Sequence, residues 1–365
     1  MKISIVRGAF LNPFELQNLI PLKDNFDLTA FSSKKPISDK VEIKLIKLWS
    51  PSDIPEIKYK YPILNRIFGD AQLLYGLEKQ IEGSDIVHVA ETYFGYTYQA
   101  ALARRRGKVN KLISTVWETI PNNNETLRGR KKFKRISKEA IDHYIAITER
   151  ARAALIEEGV NPKKISVVNM GIDLSRFYPK FNKKKSNHIN ILCVARLTPE
   201  KGILDLFQAF LKLSAKDPKI WLTFIGDGPL AAELRGYKNV VIKKVPYSKI
   251  HLEYQKADIF CLPSQSTKTW EEQYGMALIE AMASGLPIIT TNTGAIPEVC
   301  GSVALYASPK HPNQLAENLK ELIYNVDIRE KLGRLSRKRA ETHFDVKQAA
   351  EKIKKIYLKI GCRSK

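Results

Sequence analysis

Two carboxylates, Glu272 and Glu280, frame the stretch Glu-Gln-Tyr-Gly-Met-Ala-Leu-Ile-Glu-Ala-Met-Ala-Ser-Gly at residues 272–285. Met276–Ser284 reads as a helix, because Ala, Leu, Met and Glu are good helix formers. Gly285 then fits a helix stop, with Pro287 beyond it. Glu280 is the only charge inside this apolar helix, and burying a carboxylate is costly unless a polar group meets it. Glu272 lies just outside the N-terminal end, where free backbone N–H groups around Gly275 and Met276 suit a phosphate. One reading is a ligand with phosphate and hydroxyl groups, held between the helix end and the two acids. The other is a capping Glu272 and a Glu280 paired with a core Lys or Arg.

Further residues with chemical potential fall at the ends of apolar runs. In Arg196-Leu-Thr-Pro-Glu-Lys201-Gly202, a guanidinium fork and an ammonium straddle a Pro-Glu turn. Together they suit a diphosphate, although an Arg196–Glu200 surface pair is the commoner outcome of such spacing. In Gly226-Asp227-Gly228-Pro229 the glycines would let the backbone approach a flat ligand; the same residues are also ordinary turn chemistry. Val245-Pro246 lies in a loop, and Ser264 ends the run that precedes Glu272. Ser264 either donates to a ligand or only turns the chain.

The elements that must position these residues alternate. Apolar runs at 2–7, 86–89, 112–116, 144–147 and 165–168 read as buried strands in the first half. Runs at 189–195, 220–225, 240–241, 259–262, 287–290 and 303–306 do so in the second, with amphipathic helices such as 204–214 and 312–324 between them. Continuous apolar strands alternating with helices mean α/β architecture, with parallel sheets covered on both faces. The polar stretch Pro179–Asn187, with Lys183, Lys184 and Lys185, reads as a linker between two halves of the 365 residues. A site at strand carboxyl ends would then lie in a cleft between the two domains. A closing helix spans about 346–360. Cys193, Cys261, Cys300 and Cys362 show no paired spacing and read as free core thiols of a cytosolic protein. The N-terminus has no long apolar stretch of the signal-peptide kind, and no run approaches the roughly 18 apolar residues of a membrane span.

The second half resembles the nucleotide-sugar domain of retaining glycosyltransferases of family 4. The residues that carry this are Asn169-Met-Gly171-Ile-Asp173-Leu-Ser-Arg-Phe177, Ala195 to Gly202, Gly226 to Pro229, Ala257-Asp258 to Ser264, and the Glu272/Glu280 pair. The resemblance implies a GT-B fold, with two Rossmann-like parallel-sheet domains facing across a cleft. Residues 1–178 would form the acceptor-side domain, with the 346–365 helix packing back on it, and 188–345 the nucleotide-sugar domain. It implies that Arg196 and Lys201 hold the donor diphosphate and that Glu272 touches the sugar hydroxyls. Glu280 would hold the ribose, and backbone around Gly275 and Met276 the phosphates. Gly226, Asp227, Gly228 and Val245 are also expected among the residues that bind the nucleotide sugar. In the first half only Gly8, in Arg7-Gly8-Ala9-Phe10, matches the family's paired-glycine loop. Trp117-Glu118 stands where many members carry a His. Glu118 is the expected substitute contact to the acceptor, with a loop-capping Glu as its alternative. His88, a third candidate, reads first as a core residue.

The chain carries 60 Lys and Arg against 38 Asp and Glu, a net charge of +22, which calls for an anionic partner. Charge concentrates at Arg104–Lys108 and at Arg128–Lys138, neither of which contains an acid. These segments are the expected contacts to an anionic membrane surface at the cytoplasmic face, beside a glycan or lipid-linked acceptor. The basic segments lack interleaved aromatics, so nucleic acid is not expected as a partner. The absence of Asp-x-Asp argues against a metal-bridged donor, and no metal or cofactor is expected beside the nucleotide-sugar substrate. The expected activity is transfer of a hexose from a nucleotide diphosphate sugar to an acceptor hydroxyl. An epimerase of the same architecture, or a non-catalytic protein binding sugar nucleotides or polyanions, are the alternatives.

Overall fold

The computed structural model describes residues 1–180 and 187–361; the lysine run of the expected linker, Lys183–Lys185, and Cys362 lie outside the described residues. The chain divides into two compact units. Met1–Gly171 and the segment from Val346 form one, and Ile172–Asp345 the other. Residues 172–178 therefore go with the second unit rather than the first. The Ile172 amide donates to the Phe344 carbonyl, and the Phe177 carbonyl accepts from Arg337.

The first unit is built on seven parallel strands. These are β1 (Lys2–Gly8), β2 (Asp27–Ser33), β3 (Lys44–Leu48), β4 (Ile86–Ala90), β5 (Lys111–Val116), β6 (His143–Ala146) and β7 (Ile165–Val167), in the order 3-2-1-4-5-6-7. The second has six: β8 (Ile189–Val194), β9 (Ile220–Ile225), β10 (Val240–Lys243), β11 (Ile259–Leu262), β12 (Ile288–Thr291) and β13 (Ala304–Ala307), in the order 10-9-8-11-12-13. All pairings are parallel. In each sheet the order reverses at one place, between β1 and β4 and between β8 and β11, and ligands of such sheets bind beyond the strand ends there.

The sequence reading misses β2 and β3. The buried face of β2 includes Thr29, Ser32 and Ser33, so it makes no apolar run. Edge strand β3 is only five residues long, and Lys44 and Lys47 interrupt its apolar positions. The C-terminal helix, Val346–Gly361, buries Ala349, Ala350, Ile353 and Tyr357 in the same core as Ile3, Ile5 and Leu19. Cys193, Cys261 and Cys300 are buried free thiols.

Candidate functional site

In the second unit the residues at the β8 and β11 ends come together. A single-turn 3-10 helix, Pro199–Lys201, ends on Gly202 at φ +65°. A Cβ on Gly202 would stand 1.9 Å from the Pro263 carbonyl oxygen, so only glycine lets this turn press onto the end of β11. The press brings Lys201 to the acid: its Nζ donates to Glu272 Oε2 at 2.6 Å, and Ser264 Oγ donates to the same oxygen at 2.8 Å. Lys201 also lies 4.7 Å from the centre of the Trp270 ring. From the other side the Ala295 amide donates to the Glu272 carbonyl, where the Gly294 backbone approaches closely. Ser264 thus serves Glu272 rather than a simple turn.

Gly275, at φ +78°, starts the helix Met276–Ala283, which places Glu280 on its buried side. Among the described residues Glu280 pairs with no Lys. Tyr254 donates its hydroxyl to Glu280 Oε2 at 2.7 Å. Arg176 packs 4.2 Å from the ring centre of Tyr247, which also bonds Glu280. Burial pushes the Glu280 carboxyl up to about 7, against the lowering effect of Tyr254, Tyr247 and Arg176. Near neutral pH it can therefore donate or accept a hydrogen bond.

The remaining expected donor residues do not join this cluster. Arg196 is largely exposed and pairs with Glu200 at 3.1 Å, instead of converging with Lys201 on one point. Gly226 and Gly228 serve a loop-to-loop contact: a Cβ on either would meet the carbonyl of Ala195 or of Leu197. Asp227 faces outward and pairs with Lys244 at 2.6 Å. Val245 is half-buried.

In the first unit the corresponding residues are bound up in structure. Gly8, at φ +56°, ends β1 with Gln72 and Tyr96 closing over it. His88 is fully buried, with Nδ1 bonded to the Tyr357 hydroxyl at 2.6 Å and Nε2 to Thr115 Oγ1 at 2.7 Å. Burial holds its pKa well below the usual imidazole range. Of the two readings of Glu118, the structure displays the loop-capping arrangement. Its Oε1 accepts from the Thr119 and Ile120 amides, and its Oε2 from the Asn123 and Asn124 side chains. All four partners lie in its own loop, so Glu118 builds that loop. The Arg104–Lys108 knot carries counter-charges in the fold: Arg104 pairs with Asp142, Arg105 with Glu139, Arg106 with Glu78 and Lys108 with Glu82. The acids come from other segments, where local charge counting does not see them.

Glu91 was missed. It follows β4 at the reversal point, at φ +58°, and its Oε1 accepts from the Trp117 and Glu118 amides. Its Oε2 is buried with no hydrogen-bond partner among the described residues. Burial first, and Glu118 second, push its carboxyl up to about 8, which favours the protonated form. Its place directly beyond a buried strand was the available signal.

Residues 175–339 match the family model for glycosyl transferases group 1, and residues 26–176 the one for Glycosyltransferase Family 4. The spore coat protein SA of Bacillus subtilis is 28% identical over 54% of this chain and 59% of its own length. The putative colanic acid biosynthesis glycosyltransferase WcaL of Escherichia coli is 28% identical over 55% of this chain and 52% of its own. The chain thus spans little more than half the length of these curated relatives. Among solved structures, that of Anabaena Alr3699/HepE in complex with UDP and glucose superposes with a TM-score of 0.77, at 15% identity, over 98% of this chain and 99% of that one. That likeness shows the GT-B type of α/β fold, and the two adjoining family matches, which together run from residue 26 to 339, identify the chain as a member of the family 4, group 1 glycosyltransferases.

Proposed function

We propose that the protein is a retaining glycosyltransferase that moves a hexose from a nucleotide diphosphate sugar to an acceptor hydroxyl, without a metal. The observation that carries this is the convergence of Lys201 and Ser264 on Glu272, at the start of the helix that bears Glu280. UDP and UDP-glucose bound to the Anabaena protein of like fold support a nucleotide-sugar donor. On this reading Lys201 leaves Glu272 for the donor diphosphate, which frees Glu272 to accept from sugar hydroxyls. The Met276 end of the helix adds its backbone N–H groups. Glu280 exchanges its tyrosine partners for the ribose hydroxyls. The diphosphate departs on the face that the acceptor approaches, and its oxygen takes the acceptor's proton, which gives retention. The protein's work is to stabilise growing negative charge with a preset cation and dipoles. The acceptor is a glycan or a lipid-linked sugar at the cytoplasmic membrane face.

Thermal unfolding with UDP-, GDP- and ADP-glucose tests the donor step, since a ligand bound only by the folded state raises Tm. One nucleotide sugar should raise Tm in the wild type and much less in Glu280→Ala. If none raises Tm, the donor assignment fails.

A further inference from the structure

The helix Lys60–Phe68 is built inside out. Lys60 and Asn65 turn inward with Leu64, while Tyr61, Ile63 and Ile67 turn outward. With Ile57 and Tyr59 just before it, the exposed fractions are 53% and 65% for that pair, then 44%, 43% and 67% for Tyr61, Ile63 and Ile67. The fold invests in this inversion: Lys60 is buried against Glu56 at 2.7 Å, and Asn65 accepts from the Ala71 amide at 2.8 Å. A helix that spends inward positions on Lys and Asn and outward positions on Ile leaves an apolar strip that water does not favour.

This helix packs against Arg128–Ala140, with Gly69 and Gly129 nearly in backbone contact and Phe133 against Gly69. That second helix has two cationic faces. Arg130, Lys134 and Lys138, four residues apart, are neutralised by Asp70, by Glu125 and Glu158, and by Glu158. Arg128, Lys131, Lys132 and Arg135 fall at i, i+3, i+4 and i+7, which is one stripe of a helix. All four are exposed, and none takes an acidic partner among the described residues.

We infer that these two neighbouring helices form a docking surface for an anionic lipid bilayer. The tyrosines and isoleucines of 57–67 enter the headgroup boundary, and the 128/131/132/135 stripe meets lipid phosphates. Tyr at the boundary, aliphatic side chains below it and unpaired cations beside it are the composition that an interfacial helix requires. Charge complementarity selects the occupant: a neutral protein face would leave four unpaired cations without a counterpart. The surface excludes the 104–108 knot, which carries its own counter-charges. The inference rests on the proposed function only in supposing a membrane-borne acceptor, and its test needs no sugar.

The test is co-flotation of the full chain with phosphatidylcholine vesicles, with and without phosphatidylglycerol. Wild type should bind the anionic vesicles at low salt and release from them at high salt. Arg128→Gln/Lys131→Gln/Lys132→Gln/Arg135→Gln should lower partitioning on the order of 10²–10³-fold. Ile63→Ser/Ile67→Ser should lower it by about tenfold or more while Tm stays unchanged, because both side chains already face outward. Arg105→Gln/Arg106→Gln should lower it least. Equal losses from the knot and the stripe would mean unspecific net charge and overturn the surface. So would wild type that fails to float, or that forms a dimer dispersed by Ile63→Ser/Ile67→Ser. Transfer to a soluble acceptor, measured separately, keeps a failure of docking distinct from a failure of the activity.

Discussion

Glu272 and Glu118 are both buried carboxylates beyond the end of a central strand, 8% and 6% exposed. Burial does not tell them apart, but the origin of their partners does. Glu272 is met by Lys201, 71 positions away, and by Ser264, eight away. The donors to Glu118 all come from within six residues. A carboxylate saturated by its own loop is holding that loop. One held by a distant lysine and a hydroxyl, beside the open end of a helix, has partners that a charged, hydroxyl-rich ligand can replace. Strand-end position alone is therefore a weak guide to chemistry, and partner range is a better one.

The largest expected effect tests the Glu272 side. Lys201→Ala should lower transfer by about 10²–10³-fold, as loss of one preset donor to a developing anion does elsewhere. Steady-state kcat is the readout, and near-normal turnover would remove Lys201 from the donor site. Arg196→Ala should also lower kcat, on the order of 10²-fold. Its exposed pair with Glu200 should leave stability almost unchanged. If its kcat also stays normal, the donor is held by Lys201 without the arginine.

The Glu118 side should respond in the opposite currency. Glu118→Ala strands amide donors in a buried loop and should cost about 2–3 kcal/mol in urea unfolding. Turnover per folded molecule should fall only a few-fold. A loss of activity like that of Lys201→Ala, with stability intact, would break the distinction between loop-holding and ligand-meeting acids.

A pH effect of at least similar size falls on Glu91. Its folded pKa, about 8, lies above the unfolded value near 4.5, so the folded chain holds a proton that the unfolded chain has lost. The stability this gives is complete below about 4.5 and is lost as pH rises through about 8, at up to about 1.4 kcal/mol per pH unit. Glu118 and Lys134 are the charges that face it, with Tyr93 and Tyr96 close by. Glu91→Gln keeps the neutral shape and should flatten the fall between pH 5 and 8. An unchanged slope would mean that Glu91 is ionised in the folded chain.

Much of this was legible in the residues. The 272–285 helix, its left-handed Gly275 and its stop follow from local propensity, and long apolar strands announce a parallel sheet. Lys201 and the acid could be grouped only through the family resemblance, because 71 positions separate Lys201 from Glu272. What failed was non-local. Strands β2 and β3 are held by their neighbours rather than by apolar runs. The counter-charges of Arg104–Lys108 lie 26 to 38 residues away. The raised carboxyl of Glu91 comes from desolvation and from Glu118, neither visible in a sequence window.

The smallest expected effect falls on Asp227, once expected among the donor-binding residues and found outward, paired with Lys244. That lysine holds the Asp227 carboxyl below the usual range by hydrogen bond and charge. Both groups are well exposed, so salt should erase their attraction. Asp227→Asn should leave Tm and the donor Kd within measurement scatter, whereas Gly226→Ala, whose Cβ would stand 1.9 Å from the Ala195 carbonyl oxygen, should unfold the loop. A clear loss of donor affinity in Asp227→Asn, with Tm intact, would show that an exposed pair formed by a lysine 17 positions away also yields to ligand. Partner range would then need a second condition, shelter from solvent, before it separates ligand-meeting acids from the rest.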